Sequence, residues 1–437
     1  MKRVQIFGQQ LNRFFINHRL KKWIKDVFDF NRSITGSGTL KTLKYIKKNI
    51  NKNFKIKNYK SGTNVYDWKI PKQWEIYKAK IYCDNKKICD FEDNNLHIVG
   101  YSYPIKKRLS YNQLKKKINT LKNQPDAIPY VTSYYKKDWG FCMKYKDFKK
   151  LDKKKKYDVL INSKLFNGKM NFSEMTIKGK TKKTVLIMSY ICHPSMANNE
   201  LSGVSVVAAL SKIIKNPYYT YKLLLIPETI GAIAYINKNN YQLKENLIAG
   251  FNLTCCGDKG SLSYISSIYE NTYSDLILKR ISKTYKNFKI HSFLDRGSNE
   301  RQFGCQNLKL PFCTVMRSKF GNYRNYHTSK DDLKIVSEKK LRDTLKFIVK
   351  VIDEIEKNKI YVKNTTCEPF LTKYNLINTK SFFQNNKNSL TKDILNITAY
   401  ASKNLDTTEL SKILKIDKKK LNFFIDFLCQ KKILKKF

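Results

Sequence analysis

Histidine is scarce in this chain, with five among 437 residues, so the place of each one is informative. His193 closes the apolar run of residues 184–192 and opens the stretch Pro-Ser-Met-Ala-Asn-Asn-Glu-Leu-Ser-Gly, residues 194–203. A histidine just past a buried strand can turn its imidazole into a cleft as a zinc ligand. Asn198, Asn199 and Glu200 follow on the loop, before a helix that starts near Ser202. A capped helix start beside a surface histidine accounts for the same letters equally well. Glu228 ends a second apolar run, residues 221–228. There a carboxylate either caps the following helix or faces the cleft as a general base. His327 lies in Asn-Tyr-His-Thr-Ser-Lys-Asp-Asp, a polar loop before a helix. Glu300 and Arg301 sit in the dense stretch Asp-Arg-Gly-Ser-Asn-Glu-Arg-Gln-Phe, residues 295–303. Such density fits substrate recognition, because Arg grips carboxylates through two hydrogen bonds. A solvated turn with internal ion pairs is the plainer reading.

These residues need a scaffold, and the sequence outlines one. Residues 1–50 carry apolar residues at helical spacing in two stretches, separated by Asn-Arg-Ser-Ile-Thr-Gly-Ser-Gly, which contains Arg32. Residues 55–115 alternate apolar and polar letters in short runs broken by Asn, Asp, Gly and Pro, which predicts a small β unit. Helical spacing returns over 110–124. From about 128 to 355 strand patterns alternate with helix patterns: strands at 184–192, 221–228, 247–256 and 310–316, and a closing helix at 338–358. This order predicts an α/β fold, a mainly parallel sheet flanked by helices. In such sheets sites form beyond the carboxyl ends of strands, where His193, Glu228 and Asp258 fall. Residues 365–437 give three further helices, the last two joined by a short turn, which fits a winged-helix module. The domains expected are 1–54 with 116–362, an insert at 55–115, and 363–437.

Composition bounds the function classes. With 41% hydrophobic and 13% aromatic residues the chain can bury a large core, so a disordered chain is excluded. Apolar runs stay too short for a membrane helix, and the first residues do not read as a secretory signal. The expectation is a cytoplasmic protein without a membrane partner. Ten cysteines without a Cys-x-x-Cys pair read as reduced thiols. The net charge of +51 suggests polyanions. Yet the excess is nearly all Lys, spread along the whole chain beside many Asn, and Arg is scarce. A nucleic-acid partner is therefore not expected; a small amide-bearing substrate is, with a homo-oligomer left open.

Taken together, the blocks resemble the zinc aminopeptidase superfamily of leucyl aminopeptidases, glutamate carboxypeptidase and glutaminyl cyclase. They are most similar to a bacterial branch, the aminopeptidase-like domain proteins. The resemblance rests on Cys192–Gly203, Pro227–Gly231, Arg296–Gln302, Met316–Gly321 and Tyr326–Leu333, and spans essentially the whole chain. It implies an insert in a peptidase scaffold and a C-terminal winged helix. It further implies that His193 and His327 are metal ligands and Glu228 the general base, and it aligns Asn199 with an aspartate that bridges two metals. Three carboxylates of the superfamily are replaced here: by Asn199, by Thr229, and within Thr254-Cys255-Cys256-Gly257. One zinc, rather than two, is the expectation, held by His193, His327 and either Asn199 or Glu200. Arg32, Asp258, Glu300 and Arg301 are the candidate substrate contacts. The reading is a mononuclear zinc amide hydrolase, acting on a peptide or on an amidated or aminoacylated sugar. The alternative is a decayed peptidase scaffold that binds partners through its winged helix.

Overall fold

The computed structural model describes residues 7–374, 376 and 390–437. The start of the N-terminal segment, residues 1–6, and the stretch 377–389 within the expected C-terminal module lie outside the described residues.

Residues Thr184–Tyr190 are buried throughout, as a strand covered on both faces requires. Their side chains alternate: Val185 and Ile187 enter one apolar cluster, Leu186 and Met188 another. Around this strand an eight-stranded sheet forms, in the order 55–60, 169–177, 220–226, 184–190, 247–253, 312–316, 263–265, 289–291. The four central strands 220–226, 184–190, 247–253 and 312–316 are parallel. Antiparallel pairings bring in strands 55–60 and 169–177 on one side and 263–265 on the other. Helices Ser202–Ile213, Leu20–Val27 and Glu338–Lys357 share the cluster on one face of the sheet. Helix Ile230–Asn246 covers the other. The expected α/β architecture is what the chain adopts.

Gly203 shows why that packing needs its sequence. A Cβ there would meet the Leu253 carbonyl oxygen at 2.2 Å and Ser189 Oγ at 2.6 Å. Helix 202–213 therefore rests directly on the strand backbone, which only glycine allows.

The insert is built differently from the expectation. A four-stranded antiparallel sheet runs in the order 86–90, 73–83, 156–166, 105–110. Its second central strand comes from Lys156–Phe166, well beyond residue 115, while Lys55–Lys60 belongs to the large sheet. The alternation over 55–60 fits an edge strand of either sheet, so local pattern could not assign it. The helix expected over 110–124 is only Tyr111–Lys115, closed by a Ser110–Gln113 capping box. At the C-terminus, helices Leu390–Tyr400, Thr407–Leu414 and Lys418–Gln430 follow one another. A short strand, Leu434–Lys436, pairs with Tyr361–Lys363. Arg280 fastens this module to the main body, with Asp406 at 2.8 and 2.9 Å, Glu409 at 2.7 Å and Glu354 at 3.1 Å. No described helix is long and apolar enough to cross a membrane. All ten cysteines are unpaired.

Candidate metal centre

His193 leaves strand 184–190 at its carboxyl end and is 2% exposed. Its two ring nitrogens face different carboxylates: Nδ1 lies 3.2 Å from Glu200 Oε2 and Nε2 lies 3.8 Å from Glu228 Oε2. Glu200 is saturated. One oxygen takes Arg32 Nε at 2.6 Å, and the other accepts the backbone N–H groups of Cys192 and His193. Arg32 and Glu200 are both fully buried. Among the described residues, Cys192, His193 and Glu200 are the one set of three such side chains whose donor atoms all lie within 4.8 Å of one another. Glu200 is nevertheless a poor candidate ligand, because its lone pairs are already taken. Burial also pushes the Cys192 thiol up, away from the thiolate a metal requires. The expected ligand Glu200 is therefore a brace: it holds the His193 loop and fixes Nδ1, leaving Nε2 for the cleft. Burial opposes protonation of His193, yet Cys192 and Glu200 beside it outweigh burial and hold its pKa well above the usual range.

His327 comes from the loop after strand 312–316, and its ring centre lies 5.3 Å from that of His193. The Tyr130 ring lies beside both and completes a triangle with them, at 5.2 Å from His193 and 5.0 Å from His327. The ring of Tyr326 stacks on His327 at 3.9 Å. His327 Nε2 is buried without a hydrogen-bond partner. Burial, with His193 nearby, holds its pKa well below the usual range, so it is a neutral imidazole with an orphaned nitrogen.

Asn199 is fully buried, and its Nδ2 is also unpartnered. Its Oδ1 lies 2.8 Å from the Tyr190 hydroxyl, which also reaches Asn199 O and Thr254 Oγ1. One hydroxyl proton cannot serve both Asn199 oxygens. Turning the amide over lets Nδ2 donate to Tyr190 and frees Oδ1 as a neutral donor. Asp331, four residues past His327, anchors this turn: it accepts the N–H groups of Asn198 and Asn199 at 2.6 and 2.9 Å and the Tyr323 hydroxyl at 2.9 Å.

Glu228 is 21% exposed at the carboxyl end of strand 220–226. Ser298 Oγ donates to its Oε1 at 2.6 Å, so Oε2 is the free oxygen facing His193. Burial raises its pKa although His193 and Ser298 pull it down. Next to it Thr229 is held at φ +60°, with its N–H on Asn299 Oδ1 and its hydroxyl accepting from Arg301 Nη2 at 2.5 Å. Positive φ also occurs at Ser195, Cys255 and His327 among the site loops.

Three candidate substrate contacts are engaged elsewhere. Glu300 accepts from the N–H groups of Gly297 and Ser298 and from Thr314, and is fully buried. Asp258 accepts from Asn198 Nδ2, the Gly260 N–H and Ser318. Arg32 is tied to Glu200. All three brace the site, and Arg301, exposed at the rim, is the one of the four left for substrate. Sequence reading missed Ser298, Tyr130, Tyr190 and Asp331; Ser298 at least lay inside a block already singled out.

The residues fit a divalent ion. The orphaned His327 Nε2 is a neutral donor, His193 Nε2 becomes a second once an ion displaces its proton, and Asn199 offers a third.

Residues 21–358 match the model of the family described as a domain of unknown function, DUF4910. A Clostridium acetobutylicum protein named "Putative polysaccharide biosynthesis protein with aminopeptidase-like domain" is 36% identical over 375 residues, covering 84% of this chain and 85% of that protein. A crystal structure of a "putative peptidase" from Clostridium acetobutylicum superposes with a TM-score of 0.78 at 31% identity, covering 99% of this chain and 98% of the other. A zinc aminopeptidase from Bacillus subtilis shares the fold at a TM-score of 0.59 and 13% identity, over 77% of this chain and 94% of that one. The chain therefore belongs to the DUF4910 family and carries its site on an aminopeptidase-like α/β fold.

Proposed function

We propose that the protein hydrolyses an amide bond with one divalent ion, zinc by its resemblance, and with Glu228 as general base. The carrying observation is the pairing of a half-fixed carboxylate with an imidazole nitrogen: Glu228 Oε2 faces His193 Nε2 at 3.8 Å while Ser298 holds Oε1. A bound zinc would supply an acidified water and a polarised carbonyl. His193, His327 and Asn199 would hold it. Glu228, its proton affinity raised by burial, takes a proton from water on Oε2 and returns it to the leaving amine. Arg301, at the rim beside Thr229, orients an acidic or polar part of the substrate. The name of the Clostridium relative, a polysaccharide biosynthesis protein, supports an amidated or aminoacylated sugar over a free peptide. Ten unpaired cysteines support a reducing compartment, the cytoplasm.

The test is release of free amine from aminoacyl-sugar and aminoacyl-anilide panels by metal-loaded wild type and Glu228→Gln. We expect the variant to fold and keep its metal while losing turnover by about two orders of magnitude or more. Loss of metal in Glu228→Gln would make Glu228 a ligand. Unchanged turnover would remove it from the chemistry.

A further inference from the structure

The opposite end of the large sheet holds a cavity that the catalytic reading does not use. It measures about 620 Å³, within the range of small-molecule sites. It lies at the amino ends of strands 184–190 and 220–226, whereas His193 and Glu228 leave the carboxyl ends. Leu186, Leu243 and Leu247 form its apolar lining. Lys178, Lys180, Lys182 and Lys222 also line it, and no Asp or Glu does.

Lys222 is the informative member. It sits within a central strand, paired in register with Thr176 on one side and Leu186 on the other. It is half-buried, an unusual place for lysine in a strand whose other inner residues are the apolar Leu223, Leu224, Leu225 and Ile226. Lys178, Lys180 and Lys182 come from the exposed turn between strands 169–177 and 184–190. The carboxyl end of helix Ile230–Asn246 also reaches the cavity through Asn246. Its dipole opposes an anion by about half a charge, far less than four ammonium groups supply. Lys183, next in the chain, caps that helix end by donating to the Glu245 carbonyl. The surroundings are crowded with like charge. Burial, with Lys436 and Lys180 nearby, pushes Lys359 down to about 8. Burial and then Lys403 and Lys435 lower Lys183 as well.

We propose that this cavity binds a diphosphate-bearing ligand, its phosphates on Lys178, Lys180, Lys182 and Lys222 and its apolar or ring portion over the three leucines. A single phosphate would leave most of the volume empty; Glu174 acts on Lys222 from the neighbouring strand, and a neutral ligand would add nothing to offset the three turn lysines. A soluble nucleoside diphosphate and a lipid diphosphate headgroup present the same chemistry. The site is independent of the amide-hydrolase reading.

Calorimetric titration of the full chain with inorganic pyrophosphate and with adenosine diphosphate tests it, using wild type, a Lys180→Ala/Lys222→Met double variant, and a Lys153→Ala/Lys154→Ala control that removes equal charge from an exposed turn elsewhere. We expect saturable binding that weakens at least tenfold in the pocket variant and is unchanged in the control. Absence of binding, or equal weakening in both variants, overturns the site and leaves bulk charge. Co-sedimentation with phosphatidylcholine vesicles containing a lipid diphosphate, against plain phosphatidylcholine vesicles, identifies which source the same lysines prefer. Thermal melting of both variants separates lost binding from lost folding, and a second pocket variant, Lys178→Ala/Lys182→Ala, lies wholly on the exposed turn.

Discussion

His193 and Glu228 were legible in the sequence because each stands at an abrupt change from apolar run to polar loop, and His327 because histidine is scarce and it falls in a polar loop before a helix. Glu200 was not. Its neighbour Asn199 and the histidine seven residues back make it look like a ligand, and only the fold brings Arg32 across 168 residues to claim it. The pair is fully buried, and breaking such a pair strands one charge without water. Glu200→Gln should therefore cost about 3–5 kcal/mol of stability, measured by urea unfolding in the presence of chelator. A pure metal ligand would cost almost nothing under those conditions, so a loss below about 1 kcal/mol would return Glu200 to the ligand set. Ser298 was hidden for a similar reason: a serine in a polar stretch has no local signature, and its bond to Glu228 spans 70 residues.

The elements that carry these residues were read more easily. Continuous apolar runs at 184–192 and 247–253 admit few structures other than strands buried on both faces. The small sheet was harder. The pairing of Gln73–Cys83 with Lys156–Phe166 skips over four other strands and two α-helices, and alternation says which residues form a strand, never which strand they join. The Ser202-Gly203 step shows the finest control at this scale. Gly203→Ala would press a methyl group into the Leu253 carbonyl and Ser189. Since backbone stands on one side, the helix must shift, and the substitution should destabilise the protein by about 1–3 kcal/mol. Because the helix also carries the Asn199 turn at its head, the metal affinity of the folded variant should fall with it. Equilibrium unfolding and metal titration check both; wild-type stability would show that the helix can slide freely.

The molecule as a whole carries +51, and its stability bears that load. Lys359 is a defined point of it, placed over the Tyr218 ring at 3.8 Å and pushed down to about 8 by burial and by Lys436 and Lys180. A lysine whose pKa falls on folding costs stability while it must be held protonated. Between about pH 8 and its unfolded value near 10.5 the unfolded chain binds more protons, so stability contributed through Lys359 rises with pH across that window. Lys359→Met should raise the melting temperature at pH 7, and the advantage should shrink by pH 10. An advantage that stays constant with pH would assign the effect to packing.

The charge also frames the C-terminal module. Its last helix, Lys418–Gln430, carries lysines without arginine, and Arg280 holds the module against the main body. In mobility-shift assays at physiological salt, full-length protein should show no sequence preference for DNA; a selective shift would make the module a reader.

The central claim is a single-ion site shared by two histidines from distant loops. Metal analysis of protein purified without chelator tests it most directly, comparing wild type with His193→Ala, His327→Ala and Glu228→Gln. The account predicts about one zinc per chain in wild type and in Glu228→Gln, and loss of most of it in each histidine variant. Two ions per chain, no ion in wild type, or full retention in either histidine variant would contradict it.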